Sequence, residues 1–542
     1  MSQAQPSTQR RLRAARSVFI LRHITIGIGL LCIFAFLLSV FGRDITIDQA
    51  IFVLHAQQWL LGRELYVSIQ DVHPPQIYFL HAIPVLLSLA THWSIVFSFN
   101  LIVSLLAVFA GYLFGLATTP PYRFIAGALW ASALMLAAHD YFFGQREYFF
   151  MLAWIPYLLS RTGAGSPPRW VQIASGALLG FLICVKPHFA LIAGGTEAWL
   201  WLRWRSQCRW LPFVIFVAVG TLQIIIFFAL FDFSAYRHDV QIFDYYNGLG
   251  VHYVDTLMGM IRTPVFQVSL LGGALVVGPI AQKGRLHPFV EACIATVFLG
   301  LVLGVLQGTF RLYYLIPIYF AVIAMLVVLL CQPRQDVNIR RLVSFPFAYE
   351  AWTLCAILCL ILFAYQPYTG IVRLAGKEYL QGYQYQRFGG LRPDFFADWV
   401  AKHVPARDTV SVIAPQYGDD LYDPIVSMLH VGRPVLSRTG GLELNFSLAE
   451  ATGNRRSGCQ AIDGIRRDIV ESDSGWVFIR REMPSWASAN GADPIVHFQH
   501  YPSFWRWFVG SFYQSDQFGK YSVYRRRAPF SADDDVAALP CP

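Results

Sequence analysis

The 542-residue sequence predicts a polytopic α-helical membrane protein with a small soluble α/β domain at its C-terminal end. Three observations predict it. Hydrophobic residues make up 56% of the chain and charged residues only 14%, where a soluble chain carries roughly 25% charged residues. Apolar stretches approaching the ~20 residues that cross a bilayer recur as far as residue 366. Past Arg373 the pattern changes to short strand-like runs, DTVSVIAP (408–415), RPVLSR (433–438), GWVFIR (475–480) and GKYSVYRRR (519–527), separated by helical stretches such as PDFFADWVAKHV (393–404).

The elements follow in order. Residues 1–17 form a tail with Arg10, Arg11, Arg13 and Arg16, expected on the cytoplasmic side. No small-residue cleavage site follows the first apolar run, so 18–41 is an uncleaved span. Further spans are expected at 94–117, 122–140, 147–160, 171–186, 189–202, 211–231, 265–281, 289–307, 312–331 and 347–366, eleven in all. The stretch IYFLHAIPVLLSLA (77–90) has only 14 residues and includes His81 and Pro84; segments of that length are more often interfacial. Charge supports that placement. With 77–90 on the outer surface, the inner side holds fifteen basic residues and the short outer loops six: Arg43, Arg63, Arg146, Arg237, Arg262 and Arg311. A crossing at 77–90 would reverse the bias. The expectation is therefore a membrane domain over 18–366, an inside N-terminus, and an outside domain over 367–542 in a bacterial-type inner membrane. Within the long outer loop 42–93, DQAIFVLHAQQWLLG (48–62) puts Ile51, Leu54, Gln58 and Leu61 on one side, as in an amphipathic helix lying among headgroups. With 77–90 it would form an outer vestibule.

Other classes fit less well. The net charge of +9 is scattered over short loops, which is a topology signal and not a nucleic-acid surface. No internal repeat is visible, against an inverted-repeat transporter. Of nine cysteines, most lie in apolar spans as buried thiols, whereas Cys459 and Cys541 are placed to pair if their compartment is oxidising. FWRWF (504–508) is a packing segment. No His/Cys/Asp/Glu group has convincing metal-ligand spacing, and no P-loop, GxGxxG or GxSxG context occurs, so no cofactor is expected, and a divalent metal stays an open alternative that ligand spacing does not support.

Ionisable groups near a bilayer are costly, which makes the polar outer mouths informative. They collect Asp44 and Asp48, then Asp71 and His73 in QDVHPPQIYF (70–79). Arg146 and Glu147 follow in FGQREYF (143–149), Lys186 in CVKPHF (184–189), and Arg311, Tyr313 and Tyr314 in GTFRLYYLIP (308–317). Each has an ordinary reading. Asp44 could cap a turn, Asp48 could cap the helix it opens, and Arg146 and Glu147 could end a span. His55, His81 and His188 could be interface histidines. Lys186 is harder to dismiss, because snorkelling needs a terminal position and this lysine divides two apolar halves. Together the groups are carboxylates in the first loop and cations in later ones. Sugar transfer from a lipid-linked phosphate needs both: a base for the acceptor hydroxyl, and cations for charge growing on the departing phosphate.

Four strings in order carry a family resemblance. The sequence Asp48-Gln-Ala, LLGRELY (60–66) and DVHPP (71–75) resembles the first luminal loop of the protein O-mannosyltransferases. FGQRE (143–147) stands where that family has its second-loop acid, VKP (185–187) resembles its Lys-Gly-Pro break, and RLYYLIP (311–317) resembles its basic-Tyr-Leu-Pro mouth. Over residues 15–330 the chain thus resembles the GT-C glycosyltransferases, including the aminoarabinose transferases of lipid A. The resemblance implies a GT-C-like fold and a polyprenyl-phosphate sugar donor, with Asp48 as general base and Glu147 as second acid. Lys186 and Arg311 would bind donor phosphate. Gln49 departs from the family's usual Asp-Glu pair and leaves no second carboxylate beside Asp48. The expected partners are the lipid-linked donor, a lipid, glycan or protein acceptor, and membrane lipid. A flippase for lipid-linked sugars, or a scaffold presenting the C-terminal domain, are the alternatives.

Overall fold

The computed structural model describes residues 5–43, 45–66, 69, 71–120, 122–137, 142–163, 165–237, 240, 253–263, 266–267, 269–273, 287–308, 311–331, 399–405, 408–413, 455–481, 494–519 and 521–530. Asp44, Cys541, the strand expected at 433–438, the span at 347–366 and most of that at 265–281 lie outside them.

Helices α1 (Gln5–Phe41), α2 (Ile47–Leu60), α3 (Gln76–Thr91), α4 (Ile95–Ala117), α5 (Arg123–Ala137) and α6 (Arg146–Thr162) come first. They are followed by α7 (Arg169–Leu182), α8 (Phe189–Trp204), α9 (Trp210–Leu230), α10 (Tyr253–Arg262), α11 (Pro288–Leu306) and α12 (Ile316–Cys331). Among the described residues, four helical stretches are long and apolar enough to cross a membrane: His23–Phe41, Ile95–Ala117, Trp210–Leu230 and Pro288–Leu306. Shorter apolar helices include Gln76–Thr91, Arg123–Leu136, Arg169–Val185 and Tyr313–Val328. This is a helical membrane fold.

The chain divides into two units, Met1–Arg43 with Asn100–Ile226 and Val251–Leu374, and Asp44–Phe99 with Phe227–Gly250 and Ala375–Pro542. In the first, α6 is the central helix: every residue from Glu147 to Thr162 is buried. It packs on α7, α11 and α12, while α11 lies along α8 and α12, and α1 along α5. Small residues set the closest approaches. A Cβ added at Gly111 on α4 would stand 2.6 Å from the Gly127 carbonyl and the Ala131 Cβ of α5. One added at Gly176 on α7 would stand 2.4 Å from the Pro212 carbonyl of α9. Gly111 and Gly115, like Gly176 and Gly180, are a small-xxx-small pair, the device by which helices in lipid bring backbones into contact.

In the second unit α2 packs along α3. The single wet side expected for 48–62 is not observed: residues 49–56 and 58 are all buried, and only the end of the helix is exposed. Ile51, Phe52, Val53 and Leu54 are consecutive apolar residues, and the polar Gln49, His55 and Gln58 are buried with them, so the polar residues of α2 do not gather on a face turned to water.

The C-terminal part of this unit contains β1 (Thr409–Ile413), α13 (Arg455–Glu471), β2 (Ser474–Arg480), α14 (Pro494–Gln499), α15 (Pro502–Ser511), β3 (Phe512–Phe518) and β4 (Tyr521–Arg526). The sheet order is β1-β2-β4-β3, with β1 and β2 parallel and the other pairs antiparallel. The parallel pair needs a crossover, and the segment between its strands contains α13. Ile462, Ile465 and Ile469 of α13 share one core with Val477, Ile479, Phe498, Phe504 and Phe508, so FWRWF does pack. Cys459 is disulfide-bonded.

Candidate active site

The polar residues of the first unit sort to the two ends of α6. Glu147 stands in its first turn and Arg161 in its last, so each charge complements the helix dipole. The pair is about 21 Å apart at 1.5 Å per residue. A 3-10 turn (Ile183–Val185) stops α7 and leaves Lys186 in extended backbone before Pro187. There the lysine is buried. Its Nζ donates to Glu147 Oε1 at 2.6 Å and to Gln307 Oε1 at 2.8 Å, and lies 4.8 Å from the centre of the Tyr314 ring. Tyr313 is 6.0 Å away by the same measure, within cation–π range. The structure thus brings Glu147, Lys186, Tyr313 and Tyr314 together. Arg146 is half-buried beside Glu147, and Arg311 is exposed just before the two tyrosines. Glu147 is 2% exposed, and its second oxygen, Oε2, has no hydrogen-bond partner among the described residues. Buried polar atoms are nearly always satisfied, so an orphan carboxylate oxygen beside a buried lysine calls for an explanation.

At the other end of α6, Arg161 is ion-paired with Glu197 (3.2 Å), which also accepts from Tyr157 Oη (2.5 Å). Arg161 donates to the Arg209 carbonyl (2.5 Å) and stacks over Trp210. Arg209 in turn donates to the carbonyls of Ser160, Gly163 and Gly165. A cavity of about 480 Å³ lined by Leu202, Arg203, Arg205, Ser206, Cys208 and Trp210 lies in this basic region.

The first-loop residues belong to the second unit. Thr46 and Gln49 form the capping box of α2, the Gln49 carboxamide accepting from the Thr46 N–H at 2.8 Å. This gives the departure at Gln49 a structural role. It also relieves Asp48 of capping. Asp48 is half-buried in the first turn, and its carboxylate makes no hydrogen bond or ion pair among the described residues. Asp71 is the reverse case. It accepts from His55 Nδ1 (2.8 Å), the Val72 N–H (2.6 Å), the His73 N–H (3.1 Å) and His73 Nδ1. Burial opposes its ionisation, but His73 and His55 outweigh that and hold its carboxyl well below the usual carboxylate range. Its stabilising contribution is therefore complete above the unfolded value of about 4 and is lost as pH falls through the depressed folded value. With Nδ1 of both rings held by one carboxylate, His55 and His73 have fixed orientations. His55 is thus not an ordinary interface histidine. Tyr66 closes the loop: its hydroxyl donates to the His73 carbonyl at 2.7 Å, from a backbone with φ +70°. A bulky residue in that region is strained, as at many ligand-binding loops.

No family model and no curated protein matches the sequence. Among the solved structures that are similar is ArnT from Cupriavidus metallidurans, bound to undecaprenyl phosphate, at 12% identity over 95% of this chain and 99% of that one, with a TM-score of 0.44. At that level the likeness assigns no residue a role.

Sequence reasoning singled out Glu147, Lys186, Tyr313 and Tyr314 one at a time. It missed Gln307, which stands one residue before the quoted GTFRLYYLIP, and it placed Gln58 on the stripe of α2, where its buried carboxamide makes no hydrogen bond through either atom among the described residues. Among the described residues no group of three or more His, Cys, Asp and Glu could hold a metal ion.

Proposed function

We propose that the protein is a membrane glycosyltransferase, moving a sugar from a polyprenyl-phosphate donor to an acceptor on the outer face of a bacterial-type inner membrane. The acceptor is a lipid, glycan or protein of the envelope. The observation that carries this reading is Lys186, a buried cation at one end of an apolar helix bundle, framed by Gln307 and the Tyr314 ring. A cation there suits a phosphate whose lipid tail stays among the helices.

In the proposed reaction the acceptor oxygen attacks the anomeric carbon from the face opposite the phosphate, inverting it. Asp48 takes the acceptor's proton as the C–O bond forms. The bond from the anomeric carbon to the phosphate oxygen breaks, and its electron pair leaves with the phosphate. Lys186 stabilises that charge, assisted by Arg311 and Arg146, with Tyr313 and Tyr314 beside the leaving group. Glu147 is the second carboxylate of the donor site. Asp71 orients His73, and with Asp44 they complete the substrate-binding set.

Transfer from a panel of polyprenyl-phosphate sugars to an envelope-lipid extract, with purified protein in nanodiscs, tests the reading. Asp48→Asn should lower the rate by about 10²–10⁴-fold, the usual worth of a general base, with the thermal transition unchanged. Normal turnover by folded Asp48→Asn protein contradicts the assignment. The flippase alternative is less well supported, because α6 carries no charged residue between Glu147 and Arg161.

A further inference from the structure

We propose that Glu147 sets the charge balance of the phosphate site so that the spent carrier is released; this rests on the reading of Lys186 as the phosphate-binding cation. The donor is a phosphodiester with one negative charge. Breaking its sugar–phosphate bond leaves a monoester that carries nearly two at pH 8, since its second pKa is about 6. A lone buried lysine would therefore hold the product more tightly than the donor and be inhibited by it.

The geometry opposes that outcome. Glu147 Oε1 sits 2.6 Å from Lys186 Nζ, and Oε2 is buried with no hydrogen-bond partner among the described residues to spread its charge. The pair is neutral as it stands. Each phosphate charge added at ~6 Å from this carboxylate meets a repulsion worth on the order of a hundredfold in affinity at an effective dielectric constant of about 20. One charge meets it in the donor and two in the product. The carboxylate thus penalises the leaving carrier by one further factor. In the empty site the same group supplies the counter-charge that a buried lysine needs. Gln307, which also accepts from Lys186, is neutral and adds no discrimination. Among the described residues, the other charged or titratable groups near this end include Arg146 and Tyr148 on α6, Arg43 over the Phe143 ring, His188 after Lys186, and Arg311, Tyr313 and Tyr314 after α11.

The test is a ratio. Affinities of a short-chain polyprenyl phosphate and of its methyl diester are measured at pH 8 for wild type, Glu147→Gln, Gln307→Glu and Lys186→Gln in nanodiscs. Glu147→Gln should raise the preference for the monoester about a hundredfold, and added polyprenyl phosphate should inhibit its turnover at correspondingly lower concentration. Gln307→Glu places a second carboxylate on Lys186 and should shift the preference about a hundredfold the other way, an independent reading if Glu147→Gln folds poorly. An unchanged ratio in both variants, with Lys186→Gln weakening both ligands, overturns the inference and leaves the proposed function standing. Equal binding by Lys186→Gln and wild type overturns the phosphate assignment and this inference with it.

Discussion

The two ends of α6 carry the same chemistry to different purposes. At one end Arg161 meets Glu197, the Arg209 carbonyl and the faces of Trp210 and Phe213, and Tyr157 completes the carboxylate. Donors and acceptors answer one another within the protein, as in a structural network. At the other end Lys186 meets Glu147, but one carboxylate oxygen is buried without a partner among the described residues, and exposed Arg311 stands nearby. A buried ion pair is therefore no sign of a site by itself. The atom left unsatisfied inside the pair is the better signal.

The largest expected effect separates these ends directly. Removing one partner of a buried pair costs about 3–5 kcal/mol, whereas neutralising both is often near neutral. Arg161→Met should thus destabilise the protein strongly, and Arg161→Met with Glu197→Gln should restore both the melting temperature and transfer. The corresponding neutral pair, Lys186→Gln with Glu147→Gln, should restore the melting temperature and leave transfer lost. Restored transfer there would make both ends structural and erase the contrast.

A smaller effect concerns the C-terminal part of the chain. Burial, with the neighbouring His500, lowers the pKa of His497 from 6.5 to about 4. The unfolded chain therefore binds a proton that the folded one refuses between those values. Stability should fall as pH drops from about 6.5 to about 4, by at most about 3 kcal/mol. Hydrogen exchange at the β2 amides of the intact protein should follow that window, and His497→Gln should flatten it. The smallest effect is at α2. Gln49→Ala removes half a capping box and should cost about 1 kcal/mol, lowering the melting temperature slightly while leaving the Asp48-dependent transfer measurable. Loss of transfer as complete as in Asp48→Asn would mean that Gln49 is more than a cap.

Much of this was legible in the sequence because bilayers impose strong rules. Apolar length located most helices, and an ionisable residue in an apolar run flagged Lys186 without any contact in view. The pairing with Glu147 was not legible, since 39 positions separate the two and only the packing of helices brings them together. Gln307 carries no charge, and so gave no signal. The pairing of His55 with Asp71 was not legible either, since its partner lies 16 residues on, at the start of DVHPP. The amphipathic reading of α2 failed for another reason: a helical stripe is easily found in FVL-rich sequence, and packing decides whether the polar residues beside it are buried or turned to water. In the C-terminal sheet β1, β2 and β4 were visible as β-branched runs. β3, with the sequence FYQSDQF, was not, because most of its residues are exposed and it lacks the alternation that marks a half-buried strand.

The most direct test is a density map of the protein with a polyprenyl-phosphate sugar bound. The account predicts the phosphate within hydrogen-bond reach of Lys186 Nζ, at the Glu147 end of α6. A phosphate resting instead against Arg203 and Arg205, at the Arg161 end, would contradict it.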